Sequence, residues 1–226
     1  MVVAGAKEDA ARMARWTTWV GRALAWWLLW QLTVRAWRKL FPRPRPGWLD
    51  WGLLGRLRPL LWSDEQLVER LGVEPGMHVI QVGAGGGRLT EALAGRVGPQ
   101  GQLIVVDERL GVVEQVQLAA LEGQQRHISV QHATPAALPA GAGSADLVVL
   151  TSVFGGAPDK AAVAAEAYRV LRPGGAVAIS EFLVDPDYAL ASTVVTHLVL
   201  AGFGIEREVG GFAGYTVIGR KARASA

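Results

Sequence analysis

The stretch HVIQVGAGGGRLT, residues 78–90, decides the fold of this chain. A short apolar run ends in a cluster of glycines, and a pattern typical of a helix begins at Arg88. Gly83, Gly85 and Gly87 allow the backbone to approach a ligand closely at a turn from strand to helix, which is where open α/β sheets bind ligands. The stretch therefore predicts a strand, a ligand-binding turn and a helix.

Strand and helix patterns alternate from Ser63 onward. The spacing of Ser63 and Gln66 is that of a capping box and predicts a first helix. Beyond it we predict strands at residues 77–82, 103–106, 127–131, 147–150, 176–181, 203–208 and 215–220, and helices at residues 88–97, 110–121, 160–171 and 188–201. Nearly continuous apolar strands alternating with helices are typical of a buried parallel sheet covered on both faces. The predicted fold class is α/β.

A carboxylate at the end of the second predicted strand indicates a nucleoside ligand. Asp107 follows Gly83 by 24 residues, at a place where a carboxylate can hold the two ribose hydroxyls. A dinucleotide-binding fingerprint requires glycine where Arg88 stands. The G-x-G-x-G form instead favours S-adenosylmethionine as the cofactor.

Five segments, in order along the chain, resemble the motifs of the class I S-adenosylmethionine-dependent methyltransferases. They are VIQVGAGGGRLTEALA (79–94), VVDERL (105–110), ALPAGAGSADLVVLTSVF (137–154), AEAYRVLRPGGAVAISEF (165–182) and LVLAGF (198–203). The fourth is similar to the branch that includes quinone-biosynthesis and phospholipid N-methyltransferases. The resemblance covers residues 67–221. It implies a Rossmann-like, doubly wound sheet that is mostly parallel with an antiparallel C-terminal hairpin, and an enzyme that uses S-adenosylmethionine.

The resemblance also implies a role for each matching residue of the cofactor site. These residues are Gly83, Ala84, Gly85 and Gly87 along the methionine moiety, Asp107 at the ribose, Glu108 and Arg109 at the adenine edge, Ala133 and Thr134 at the adenine face, and Thr151 and Ser152 beneath the sulfonium. This chain departs from the family at Gln81 and at His132, where acidic residues are usual. The Gln81 amide oxygen can still accept a hydrogen bond from the methionine amino group.

Three residues are candidates for direct contact with the reacting groups: His132, Glu181 and Tyr188. His132 follows the third strand, whereas Glu181 and Tyr188 flank the end of the fifth, where the related branch forms its acceptor pocket. His197 is interpreted as a structural histidine and Asp159 as a helix cap. Thr151 and Ser152 can equally be polar residues at a strand end without a ligand.

The front of the chain has a different composition from the rest. All nine tryptophans lie in the first 62 residues, which carry eleven basic and three acidic residues, whereas residues 63–226 carry twelve basic and seventeen acidic. Six of these tryptophans, within residues 16–37, share an arc of about 100° on a helical wheel. Such a stripe flanked by arginine favours a helix lying in the surface of an anionic membrane.

Alternatives for this helix stay open. The charge-free run at residues 23–34 is short for a transmembrane span, which needs about 20 apolar residues, yet a single pass is conceivable. The helix can also pack on the folded domain or on a second copy of the chain. Binding of nucleic acid is disfavoured, because the leucine-rich reverse of the helix would remain exposed.

We therefore predict three parts. Residues 1–47 form a Trp-rich, basic, amphipathic helix and a Pro-rich linker, residues 48–62 an amphipathic lid or connector, and residues 63–226 the S-adenosylmethionine-binding domain. Residues 12–40 are expected to bind anionic lipid at the cytoplasmic face of a membrane, with a lipid as methyl acceptor. A methyltransferase for a soluble metabolite that dimerises through the Trp helix, and a catalytically degenerate binding module, are the alternatives. No cysteine is present and the four histidines are scattered, so no metal site is predicted.

Overall fold

The computed structural model describes Trp16, residues 19–22, 25–26, 29–30 and 32–33, and the continuous stretch 63–223. The predicted linker and the predicted lid at residues 48–62 lie outside the described residues, so the division into three parts stays a prediction.

The elements of the domain follow the predicted alternation. Its helices are α1 (Asp64–Arg70), α2 (Arg88–Val97), α3 (Leu110–Glu122), α4 (Lys160–Val170) and α5 (Ala191–Leu200). Its strands are β1 (His78–Val82), β2 (Gln102–Asp107), β3 (Ile128–His132), β4 (Ala145–Thr151), β5 (Leu171–Phe182), β6 (Gly204–Gly211) and β7 (Gly214–Arg220). The capping box is formed: Ser63 Oγ accepts from the amide of Gln66, and Gln66 Oε1 accepts from the amide of Ser63, each at 3.2 Å.

The strands form one sheet in the order β3-β2-β1-β4-β5-β7-β6. The first five pair in parallel, and β7 is antiparallel to both β5 and β6, which confirms the mostly parallel sheet with an antiparallel C-terminal hairpin. β1 pairs with β2 on one side and with β4 on the other. The winding of the chain therefore reverses between β1 and β4, and the crevice at their carboxyl ends is the topological switch point where such sheets bind ligands.

Apolar cores cover both faces of the sheet. On one face Val79 and Val105 pack with residues of α1, α2 and α3, including Leu67, Leu93 and Val116. On the other face Ile80, Val148 and Ile179 pack with residues of α4 and α5, including Val163, Ala167, Val194 and Leu198. Consecutive strand residues thus enter different cores, as the side-chain period of two requires. The sheet is doubly wound, as predicted.

Three predicted boundaries are wrong by three residues or more; one of them is the end of β6, predicted at Glu208 and observed at Gly211. The last helix begins at Ala191 rather than at Tyr188, because Leu190 is extended (ψ 146°) and the Tyr188 amide donates to the Asp185 carbonyl in a turn. The fifth strand begins at Leu171, since Leu171 already pairs with Ala145 of β4 and a register shift accommodates the residues that follow. Tyr188 consequently lies on a loop at the carboxyl edge of the sheet.

The described residues between 16 and 33 are helical and expose large apolar side chains. Trp16 and Trp19 are each 69% exposed, and Trp26 and Trp30 are exposed as well. Leu32, on the other side of the helix, is also exposed. None of the helices within the described residues has the length and apolarity needed to cross a bilayer.

Candidate functional site

Three of the buried polar side chains on one face of the sheet come from the strands β1, β2 and β4 at the carboxyl edge. Gln81 of β1 is in register with Val105 of β2 and with Val149 of β4. Because side chains alternate between faces along a strand, Asp107 and Thr151, each two residues further on, lie on the same face as Gln81. All three are buried. The switch point is therefore lined by an amide, a carboxylate and a hydroxyl.

The turn after β1 presents backbone to open space. Gly83 has φ +86°, and a Cβ on it would lie 2.4 Å from Val153 Cγ2, so only glycine fits against the end of β4. Gly85 has φ +53°, and a Cβ on Gly85 or on Gly86 would meet no atom of the described residues within 4 Å. Gly87 is the N-cap of α2. The turn thus leaves room for a ligand at the N-terminus of this helix.

Among the buried polar atoms that have no hydrogen-bond partner within the part of the chain that the structure describes, two belong to strand residues at this edge: Gln81 Oε1 and Thr151 Oγ1. Gln81 Nε2 donates to the carbonyl of Gly83 at 3.2 Å, which holds the amide in place. Burying an acceptor without a donor costs about 1–3 kcal/mol. A ligand that donates to Gln81 Oε1 removes this cost, so the pair of atoms fits a site built for a polar ligand.

Asp107 accepts four hydrogen bonds from the chain itself. Oδ1 accepts from the Arg109 amide at 3.0 Å and from Arg109 Nε at 2.9 Å, and Oδ2 accepts from the Ala84 amide and from Arg109 Nη2, each at 3.0 Å. Burial raises the pKa of Asp107, but the hydrogen bonds and charge of Arg109 and the two amides outweigh it and hold the pKa below its usual value. The carboxylate is therefore ionised at neutral pH.

The residues predicted along the adenine come from the loops after β2 and β3. In the loop after β2, Glu108 is exposed and Arg109 is half-buried. In the loop after β3, Ala133 is half-buried and Thr134 is exposed. The two loops are adjacent, because Asp107 and His132 are in register and His132 Nε2 lies 2.9 Å from the Glu108 carbonyl oxygen. His132 itself is exposed.

The residue that follows β4 has an unusual backbone. Ser152 has φ +54°, a left-handed conformation that is uncommon for residues other than glycine. Its amide donates to the Ser180 carbonyl of β5 at 2.9 Å. Strained backbone of this kind clusters at ligand sites, and Ser152 lies beside the switch point.

Glu181, at the end of β5, joins two loops. Its side chain is buried, with 1% of the residue exposed. Oε1 accepts from the Gly155 amide of the β4–α4 loop at 3.1 Å, and Oε2 accepts from the Ala189 amide before α5 at 3.4 Å. The carboxylate is thus turned into the protein, where it holds both loops at the carboxyl edge.

Aromatic rings surround this junction. The Tyr188 ring meets those of Tyr215 and Phe212 edge-on, with centroids 5.7 and 6.3 Å apart, and its hydroxyl donates to the Phe212 carbonyl at 3.1 Å. The Tyr215 hydroxyl donates to the Ala189 carbonyl at 2.6 Å. Burial, and then the charge of Glu181, raise the pKa of Tyr215, so that this phenol stays a neutral donor.

The structure does not bring the three candidates for the reacting groups together. His132 ends β3 and Glu181 lies near the end of β5, with β2, β1 and β4 between them. Strands lie about 4.8 Å apart, so these two residues are separated by roughly 19 Å across the sheet. His132 and Glu181 therefore do not act on the same atom. The catalytic roles of His132, Glu181 and Tyr188 stay predictions.

Two structural interpretations are confirmed. Asp159 caps α4, its Oδ1 accepting from the Ala162 amide at 2.9 Å. His197 Nδ1 lies 2.8 Å from the Thr193 carbonyl oxygen, and its ring meets that of Phe154 edge-on.

Sequence reasoning missed the contacts of Arg109 and Tyr215. Arg109 lies two residues after Asp107, a spacing that permits the ion pair, so a local signal was available. Tyr215 offered no signal of this kind, because it reaches the site through the pairing of β7 with β5 at Glu181.

Comparisons with known proteins agree with this architecture. Residues 80–179 match the family model described as a methyltransferase domain. The chain is 33% identical over 123 residues to the arsenite methyltransferase of Halobacterium salinarum, covering 50% of this chain and 32% of that protein. It is 31% identical over 121 residues to the demethylmenaquinone methyltransferase of Lactococcus lactis, covering 54% of this chain and 48% of that protein.

A solved structure shows the same fold. The S-adenosylmethionine-dependent methyltransferase from Aquifex aeolicus superposes with a TM-score of 0.66 at 19% identity, over 78% of this chain and 93% of that one. Residues 80–179 of the described domain thus match the class of methyltransferase domains, and the domain shares the fold of the Aquifex aeolicus enzyme. Within that class, its curated relatives include both quinone and arsenite methyltransferases, and the matched stretch spans less than half the length of the two relatives named above.

The residues at the switch point fit S-adenosylmethionine. The carboxylate of Asp107 suits a ribose diol, the free acceptor of Gln81 suits an ammonium group, and the open space above Gly85 and Gly86 admits a ligand against the backbone. The individual roles predicted for the cofactor residues stay predictions, but the structure gathers the glycine turn, Gln81, Asp107 and Thr151 at one edge.

Proposed function

We propose that this chain transfers a methyl group from S-adenosylmethionine to a membrane lipid, either an aminophospholipid headgroup or a prenylated quinone precursor. The observation that carries the cofactor part is the buried, unsatisfied oxygen of Gln81 beside the Asp107 carboxylate and the open glycine turn. When bound, S-adenosylmethionine supplies a methyl group on a sulfonium, which leaves as a neutral thioether.

In this proposal the chain mainly binds and orients. Asp107 accepts hydrogen bonds from the ribose hydroxyls, and Gln81 Oε1 accepts a hydrogen bond from the methionine ammonium. The glycine turn leaves room for the cofactor to lie close to the backbone. Placing an acceptor atom in line with the reacting carbon provides most of the rate of such a displacement. A general base is required only when the acceptor must lose a proton.

The acceptor side of the domain supports an apolar substrate. Phe212, in the turn between β6 and β7, is 71% exposed, and Leu190 before α5 is exposed as well. Both lie at the carboxyl edge, since Phe182 at the end of β5 pairs with Gly214. The exposed Phe212 ring meets Tyr188. We call Phe212, Tyr188 and Leu190 the apolar lip, and it is suited to the hydrocarbon part of a lipid next to the methyl-transfer site.

The N-terminal residues support a membrane as the place of the reaction. Trp16, Trp19, Trp26 and Trp30 are exposed and fall within about 80° of one another at 100° per residue. Tryptophan prefers the interface of a bilayer, where its ring is half-buried and its N–H stays hydrogen-bonded. The net positive charge of the first 62 residues adds attraction to anionic lipid.

The relatives suggest two substrate classes, and composition separates them. One relative acts on demethylmenaquinone by its name and another on arsenite. Arsenite methylation in the related branch needs cysteine thiolates, and this chain has no cysteine. The lipid-like substrate is therefore the one that we carry over to this chain.

The test is methyl transfer from tritiated S-adenosylmethionine to vesicles. The full chain is mixed with anionic vesicles that contain phosphatidylethanolamine in one arm and demethylmenaquinone in another, and label is counted in the extracted lipid. We expect label in one arm and none with phosphatidylglycerol alone. Label in neither arm, with intact binding of S-adenosylhomocysteine, would contradict the lipid acceptor and favour a soluble metabolite.

Two sets of variants separate binding to the vesicle from use of the acceptor. Replacing Trp16 and Trp19 by Ser is expected to reduce sedimentation with anionic vesicles without changing S-adenosylhomocysteine affinity. Phe212→Ser is expected to raise the KM for the lipid. Its matched control is Leu200→Ser, because Leu200 is exposed at the far end of α5 and is expected to leave the KM unchanged. Equal effects of Phe212→Ser and Leu200→Ser would contradict a role for the apolar lip.

A further inference from the structure

The acceptor capacity of Asp107 is already filled by the chain. A carboxylate has about four lone-pair sites, and all four hydrogen bonds to Asp107 come from Ala84 and Arg109. Two of the donors are backbone amides, which the turn after β1 and the start of α3 hold in place. The other two, Nε and Nη2, belong to the guanidinium of Arg109. A ribose diol that binds Asp107 must therefore replace the guanidinium.

Arg109 stands where the local rules of helix formation disfavour arginine. It is the N-cap of α3 and makes no side-chain capping hydrogen bond, although this position prefers Ser, Thr, Asp or Asn. A positive charge at a helix N-terminus is also opposed by the helix dipole. The two-pronged pair with Asp107 compensates for these costs. A residue that breaks local rules and pairs with a charged group at a ligand site is a candidate for a functional role.

The geometry allows the guanidinium to leave. The Arg109 side chain is 25% exposed, whereas that of Asp107 is 4% exposed. Arg109 can therefore turn into solvent while Asp107 stays in place, held by the amides of Ala84 and Arg109. In the absence of a nucleoside, the guanidinium keeps a buried carboxylate paired, which avoids the large cost of an isolated buried charge.

We propose that Arg109 is an internal competitor of the cofactor: its guanidinium occupies the ribose-binding carboxylate in the free protein and must swing away before the nucleoside binds. This inference rests on the proposed function, since it takes the Asp107 site to be the ribose site. It makes Arg109 a residue that sets cofactor affinity rather than one that contacts the adenine edge. The apparent Kd equals the intrinsic Kd divided by the fraction of molecules in which Asp107 is vacant: if that fraction is one in ten, binding is tenfold weaker.

The experiment is calorimetric titration of the full chain with S-adenosylhomocysteine, comparing wild type, Arg109→Ser and Arg109→Lys. Serine removes the competitor and supplies a good N-cap, so we expect binding roughly tenfold tighter than in the wild type. Lysine keeps the charge but lacks the planar guanidinium that binds a carboxylate through two hydrogen bonds. We therefore expect a smaller gain in affinity for Arg109→Lys than for Arg109→Ser. The matched control is Arg126→Ser, which removes an exposed arginine beyond the other end of α3 and is expected to leave the Kd unchanged.

Thermal melting supplies a second measurement and shows whether each variant is folded. Arg109→Ser is expected to lower the melting temperature of the free protein, because the ion pair is lost, and to enlarge the increase in melting temperature caused by S-adenosylhomocysteine. Equal or weaker binding by a folded Arg109→Ser protein, with a normal wild-type Kd, would overturn this inference and leave the proposed function intact. Absence of binding by the wild type and all variants would overturn the cofactor site and the inference with it.

Discussion

Replacing Gln81 by Met is expected to make the free protein more stable and the cofactor site weaker. Methionine is unbranched and has nearly the volume of glutamine, so it fills the same buried position without a cavity. The change removes the unsatisfied Oε1, whose burial costs about 1–3 kcal/mol, and sacrifices one hydrogen bond to Gly83 at 3.2 Å, a contribution of about 0.5–1.5 kcal/mol. The net gain is about 1 kcal/mol, or an increase of about 2–4 °C in melting temperature for a domain of this size.

The assays are urea unfolding of the free protein and titration with S-adenosylhomocysteine. A hydrogen bond to a charged group contributes about 1.5–3 kcal/mol, so loss of the Gln81 acceptor is expected to weaken binding by roughly 10- to 150-fold. Gln102→Met is the matched control, because Gln102 is exposed at the amino end of β2 and is expected to change stability by less than about 0.5 kcal/mol. A less stable Gln81→Met protein with unchanged affinity would refute the idea that Gln81 Oε1 is kept free for a ligand.

Two further predictions concern the same edge of the sheet. The pKa of Asp107 is held below that of the unfolded chain, so its contribution to stability is present above about pH 3.9 and is lost as the pH falls through the folded-state pKa. The difference in stability between wild type and Asp107→Asn is therefore expected to shrink between pH 6 and pH 2. A difference in urea unfolding that stays constant over this range would contradict the prediction. Gly83→Ala is expected to destabilise the domain by about 1–3 kcal/mol, since φ is +86° and the new Cβ would lie 2.4 Å from Val153 Cγ2. Gly86→Ala is the control, because a Cβ on Gly86 would meet no described atom within 4 Å. Equal melting temperatures for the two variants would be evidence against the close approach at Gly83.

The sequence predicts the order of elements well because the central strands are nearly continuous apolar runs bounded by glycine, proline or polar residues. The start of α2 at Arg88 and that of α3 at Leu110 agree with the prediction to the residue. The start of β5 at Leu171 does not, because its first residues pair across the sheet with Ala145, and no local pattern carries that information. The start of α5 differs because the preceding turn is held by hydrogen bonds that depend on the fold.

The candidate site was predictable where it depends on position along strands. Gly83 and Asp107 lie at strand ends that the sequence marks, and the parallel sheet then places those ends at one edge. The buried environment of Glu181 was not predictable, because its carboxylate is engaged by the amides of Gly155 and Ala189, which come from two different loops. Roles assigned from strand position alone therefore overlook which side chains are turned into the protein.

The exposed tryptophans and the domain require different tests, because the tryptophans are proposed to bind a membrane surface and the domain is proposed to bind the cofactor. Sedimentation with vesicles measures membrane binding directly, and the result does not depend on catalysis. Titration with S-adenosylhomocysteine measures the affinity of the cofactor site directly, and the result does not depend on the identity of the acceptor. The two results together distinguish a membrane methyltransferase, a methyltransferase for a soluble metabolite and a membrane-bound binding module.

The most direct test of the central claim is calorimetric titration of the full chain with S-adenosylhomocysteine, with Asp107→Ala measured beside the wild type. We expect micromolar binding by the wild type and a loss of roughly tenfold or more in affinity for Asp107→Ala, since the hydrogen bonds to a charged group are removed. Absence of binding by the folded wild type, or equal binding by Asp107→Ala, would contradict a cofactor site at the switch point.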